Sequence, residues 1–123
     1  MKVDCIYYKA NTQFGSFIYN WLQSRDINNA ELSNKNEDLD EGIDGIVIVT
    51  ENQEIPREIE EIVNLFDFRQ KPVHTMDING TLMVAVSNLD LWLERNRCKK
   101  VLFVADDTLV KNVRLEKMFE QLT

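Results

Sequence analysis

Runs of apolar, β-favouring residues alternate along the chain with stretches of helical periodicity. Val3 to Tyr8 is apolar on both faces apart from Asp4, the pattern of a strand covered on both sides. Phe14, Phe17, Ile18, Trp21 and Leu22 then fall at i, i+3, i+4, i+7 and i+8, a helical stripe that Asn11 or Thr12 can cap. Ile46-Val47-Ile48-Val49, β-branched throughout and flanked by Gly45 and Thr50, predicts a central parallel strand. Pro56 is placed to start the next helix, Glu58, Glu60 and Glu61 suit the positive end of its dipole, and Lys71-Pro72 stops it. Ile59, Ile62, Val63 and Phe66 make its inner face.

Val73 to Ile78 predicts a further strand, and Asn79-Gly80 a turn. Leu82 to Leu93 is apolar around much of its circumference, which predicts a helix covered on more than one side, with a second subunit as one way to cover it. Lys100 to Ala105 is the last strand. Asp107 or Thr108 caps a closing helix with the stripe Val110, Val113, Leu115, Met118, Phe119 and Leu122. The polar stretch from Asp26 to Asp44 offers only Ala30-Glu31-Leu32-Ser33 as a short edge strand. Its residues Asn36, Asp38 and Asp40 have the start of a calcium-loop spacing, but Glu41 and Val47 stand where that loop needs Gly and Glu.

Alternating strands and helices force parallel pairing, right-handed crossovers and helices on both faces of the sheet. The expected fold is therefore α/β, a three-layer doubly wound parallel sheet of the flavodoxin-like kind with strand order 2-1-3-4-5.

Composition narrows this further. A chain of 123 residues with 44% hydrophobic content fits a single domain spanning 1–123. A net charge of −7 disfavours nucleic acid and anionic membranes as partners. A charge inside the first apolar run and the lack of a long apolar stretch predict neither a signal peptide nor a membrane span, and hence a cytoplasmic protein. Cys5 and Cys98, far apart and without a His cluster, read as reduced thiols rather than a disulfide framework or a metal site.

In such sheets ligands bind beyond the carboxyl ends of the strands, where the strand order reverses. With order 2-1-3-4-5 this is the cleft between the loops after the first and third strands. The helix start beside it offers free N–H groups to a phosphate, so Asn11, Thr12, Gln13 and Ser16 are the candidate phosphate cradle, with Lys9 as a nearby cation. Thr50, Asn52 and Gln53 form a second lip, and Asn79, Gly80 and Thr81 a third. Capping and turn chemistry explain the same residues without a ligand.

Ile43-Asp44-Gly45-Ile46-Val47-Ile48-Val49-Thr50, Ile55-Pro56, Ile59 and Lys71-Pro72-Val73 resemble the core of the NADPH-dependent FMN reductase family. The resemblance implies a flavodoxin-like fold, FMN as cofactor and, for an enzyme, an FMN-dependent NAD(P)H oxidoreductase. Asn11, Thr12, Ser16, Thr50, Asn52, Asn79 and Gly80 would then hold the flavin or another phosphate-bearing ligand. Glu51 and Gln53 replace the family's Pro and Tyr, Arg57 replaces a Gly, and the loop after the first strand lacks the Gly-Ser-x-Arg pattern. A carboxylate at position 51 repels an electron-rich ring or its phosphate.

Two further readings stand beside this one. The first is a non-catalytic regulatory or assembly module that has kept the fold and lost the cofactor, dimerising through the Leu82 to Leu93 helix. The second is a nucleotide-processing enzyme using Glu51, Glu54 or Glu58 as acid or base. His74 within a strand reads as a packed residue and Asp106-Asp107 as a helix cap. Gly-x-Ser-x-Gly, P-loop and Gly-x-Gly-x-x-Gly patterns are absent from the sequence.

Overall fold

The computed structural model describes residues 1–32 and 42–122. The calcium-loop spacing at positions 36 to 40 lies outside them. Among the described residues the strands are β1 (Cys5–Lys9), β2 (Asn29–Leu32), β3 (Gly45–Thr50), β4 (Val73–Asp77) and β5 (Lys100–Ala105). The helices are α1 (Gln13–Gln23), α2 (Arg57–Phe68), α3 (Leu82–Asn96) and α4 (Val113–Glu120), with a short 3-10 helix at Asp107–Lys111. The closing stretch is thus two pieces rather than one helix: Asp106 caps the 3-10 turn through Thr108 N–H, and Asn112 caps α4 through Arg114 N–H.

All pairings between these strands are parallel, and the architecture is doubly wound α/β of a flavodoxin-like or Rossmann-like kind. The strand order is 2-1-5-3-4, not the expected 2-1-3-4-5. Strand β5 inserts between β1 and β3, pairing Val101 with Ile6 on one side and with Gly45 on the other. Burial explains the choice. Val101 to Val104 are buried on both faces, as a central strand requires, whereas β4 exposes Thr75 and half-exposes His74, as an edge tolerates.

Right-handed crossovers then dictate the layers. The β1-α1-β2 and β4-α3-β5 connections run the same way across the sheet, and β3-α2-β4 runs the opposite way. Helices α1, α3 and α4 accordingly pack on one face, against Ile6, Tyr8, Val47, Val49, Val101 and Phe103. Helix α2 packs its Ile59, Ile62 and Phe66 on the other face, against Ile46, Ile48, Leu102 and Val104. The base of the sheet is clamped by Asp44, whose carboxylate accepts the N–H groups of Lys99 (2.9 Å) and Lys100 (3.0 Å).

His74 stacks on Trp92 of α3 at 5.1 Å, and its Nε2 is buried without a hydrogen-bond partner among the described residues. Burial lowers its pKa from 6.5. Between the lowered value and 6.5 the unfolded chain binds more protons than the folded one, so stability falls as pH drops through this window. His74→Phe is expected to flatten that acid-side slope in urea melts run from neutral pH downward; an unchanged slope would assign it to other groups.

Candidate functional site

In this topology the loops leaving β3 and β5 turn to opposite faces, towards α2 and towards the 3-10 helix. The reversal therefore lies between β5 and β3, and the expected cleft between the β1 and β3 loops does not form because β5 stands between them. The predicted site residues are split accordingly. Asn11, Thr12 and Ser16 lie with Tyr8, Tyr19 and Glu31 on the β1–β2 side. Asn52, Asn79 and Gly80 lie together beyond β3 and β4, where Asn79 Nδ2 donates to Asn52 Oδ1 at 2.8 Å.

Most of these residues already have a structural task. Thr12 is the N-cap of α1: its hydroxyl accepts from Gly15 N–H (2.9 Å) and donates to the Lys9 carbonyl (3.0 Å). Asn11 supplies the left-handed turn before it, at φ 61°. Ser16 is exposed on α1. Thr50 is 1% exposed, and its hydroxyl reaches the Met76 carbonyl and the Asp77 carboxylate, each at 3.3 Å. The Gly80 carbonyl accepts from Arg114, which also holds the Ile78 carbonyl and so ties α4 to the β4–α3 turn.

Two carboxylates that sequence reasoning did not place at the site occupy its amide-rich positions. Asp107 Oδ1 accepts the Phe14 N–H of α1 at 3.0 Å. With Thr12 on Gly15 N–H, two of the unsatisfied donors at this helix start are taken from within the chain. Asp77 does the same beyond β3, accepting from Gln53 N–H and from Asn79 N–H. These contacts join residues 93 and 24 positions apart in the first two cases, and no local motif announces them.

Between these positions the surface is hollow. A cavity of about 530 Å³ runs from the α1 start across the end of β5 to the α2 start. Phe14, Phe103, Ile59 and Ile62 give it an apolar floor, and Glu58, Glu61, Asp106 and Asp107 an acidic rim, with Lys9 and Thr12 at one side. A neighbouring hollow of about 450 Å³ lies between the β3 and β5 loops and adds Glu51 and Glu54. The carboxylate surplus makes this edge of the sheet a poor host for a phosphate dianion.

A flavin phosphate placed at the α1 start would meet Asp107 on the Phe14 amide, Thr12 on the Gly15 amide and further carboxylates around it. The residues present do not fit that group. Neither thiol belongs to the cleft: Cys5 and Cys98 are free at the other end of the sheet, and burial and the nearby Asp44 push Cys98 up to about 11. Among the described residues no group of three or more His, Cys, Asp or Glu is arranged to hold a metal ion, and no helix is long and apolar enough to cross a membrane.

No family model and no curated protein matches the sequence. The fold does have a solved counterpart: a crystal structure described as a "putative molybdenum carrier protein" from Syntrophus aciditrophicus SB matches with a TM-score of 0.71. The match covers 98% of this chain and 92% of that one at 9% identity, so it speaks for the shared fold alone.

Proposed function

We propose that the protein is a non-catalytic recognition module that keeps the doubly wound scaffold and has closed its phosphate position with its own carboxylates. The observation that carries this reading is the Asp107 carboxylate on the Phe14 amide at the start of α1. That helix start is where doubly wound proteins of this kind receive an anion. An internal carboxylate there satisfies the helix dipole without a ligand and repels one that arrives.

FMN binding, as the family resemblance implies, is the second reading. The 530 Å³ cavity with its aromatic floor favours it, being within the roughly 300–1,000 Å³ range of small-molecule sites. It requires Asp107 to leave the Phe14 amide.

A flavin titration followed by fluorescence quenching separates the two. The wild-type chain is expected to leave FMN fluorescence unchanged, whereas Asp107→Ser, which vacates the amide and removes a charge, gains binding of inorganic phosphate by calorimetry. Quenching by the wild type, or a yellow purified protein, would overturn the proposal in favour of the flavin.

A further inference from the structure

The surface of α3 turned away from the sheet carries three large apolar side chains exposed among its polar ones. Leu89 and Leu93 are buried, with Leu82, Ala85, Val86 and Trp92 partly buried around them. On the outer face Met83 is 74% exposed, Val84 55% and Leu91 53%. Val84, Ser87 and Leu91 follow one another at i, i+3 and i+7, a single stripe one heptad long. The outward side of the helix therefore has the residues of an interhelical seam without a partner among the described residues.

We propose that this stripe packs against the same stripe of a second copy, with the two α3 helices antiparallel across a two-fold axis near Ser87. The spacing is self-complementary. An antiparallel pair centred between positions 87 and 88 sets Val84 opposite Leu91 twice over, and puts the small Ser87 and Asn88 at the crossing, where helices approach closest. A parallel pair would gain no such match with its own ends. Met83 then covers the flank of Leu91.

Charge complementarity points to the same occupant. Helix α3 starts at Thr81 without a side-chain capping hydrogen bond and has no acidic residue in its first turn, among the described residues. Its last turn carries Glu94 and Arg95. In the antiparallel register each copy's Glu94 falls opposite the other's Thr81, so the carboxylate meets the positive end of the partner helix. No like-charged pair is set face to face by that register. One helix face is less than the roughly 800 Å² per partner of a standard stable interface, so the dimer forms reversibly with concentration.

This inference names a partner for the recognition module proposed above but does not depend on it: a dimer that bound FMN would sink the functional reading and leave this one standing. Sedimentation equilibrium across a concentration series is expected to show the mass rising from 14.4 kDa towards twice that value. Leu91→Glu, at an exposed position, should keep the thermal transition of the dilute protein and weaken association on the order of tenfold, as a central interface residue does. Ser87→Cys should form a disulfide-linked dimer under mild oxidation, which wild type with Cys5 and Cys98 and the α2 control Asn64→Cys should not. A wild-type mass that stays at 14.4 kDa throughout, or association untouched by Leu91→Glu, would overturn the proposal.

Discussion

Phe119→Ala is expected to lower the unfolding free energy by about 3–5 kcal/mol, the range for deleting a large buried ring. Phe119 is 1% exposed on α4 and is the point where three elements meet. Its ring lies edge-on to Trp21 (5.0 Å), Phe17 (5.2 Å) and Phe14 (6.2 Å) of α1 and to Phe103 (6.0 Å) of β5. Such pairs add roughly 0.5–1.5 kcal/mol each beyond the area they bury, so the loss belongs at the upper end of the range. The Phe119 carbonyl also accepts from Trp21 Nε1 at 3.0 Å, but that bond is to backbone and survives the substitution. With total stability of a domain at roughly 5–15 kcal/mol, the variant stands near the edge of folding. Urea unfolding should show a lower midpoint at an unchanged slope. Phe119→Leu should recover more than half of the loss, and a cost for Phe119→Ala below about 1 kcal/mol would mean that α4 is not docked on α1 as described.

The aromatic cluster also shows what a sequence can reveal. Phe14, Phe17, Trp21 and Phe119 declare their inward faces through helical spacing, because burial is periodic and periodicity is local. The element types and most boundaries follow from that alone. Strand order does not, because it depends on which strand each crossover skips. A signal was nevertheless there: His74 and Thr75 interrupt β4 with polar groups while Val101 to Val104 run unbroken, which is the difference between an edge strand and a central one. Placing β5 at the edge moved the expected cleft to the wrong pair of strands.

The candidate site was less legible, for a physical reason. Asn11, Thr12, Asn52, Asn79 and Gly80 have the chemistry of ligand-binding loops because they also have the chemistry of caps and turns, and composition does not separate the two. What separates them is the partner of each amide. Phe14 N–H is satisfied by Asp107 and Gln53 N–H by Asp77, both through contacts that only the folded chain creates. Asp44 is the opposite case. Its place before β3 belongs to the family resemblance, and its carboxylate clamps the amides of Lys99 and Lys100, so that feature marks the scaffold. Helix α3 is intermediate: its all-round apolar character is visible in the sequence, while the exposed stripe that asks for a second copy is visible only once the buried side is known.

The corner that joins scaffold to site is Gly15, and Gly15→Ala is expected to destabilise the protein by about 2–3 kcal/mol even though the same change in an ordinary helix interior stabilises by about 1 kcal/mol. A Cβ at Gly15 would stand 2.2 Å from the Lys9 carbonyl oxygen and 2.6 Å from Thr12 Oγ1. Neither atom is the mobile end of a side chain. The carbonyl belongs to the end of β1, and Thr12 Oγ1 is held between that carbonyl at 3.0 Å and the Gly15 amide at 2.9 Å. Relief requires the first turn of α1 to lift away from β1, which pulls the buried Phe14 ring outward and lengthens the Phe14 N–H contact to Asp107. The sign of the effect is therefore the test. A melting temperature lower by about 6–15 °C is expected, with Ser16→Ala next to it nearly neutral. A stabilised Gly15→Ala protein would show that α1 does not sit on the β1 carbonyl, and the internal closure of the phosphate position by Asp107 would lose its geometric basis with it.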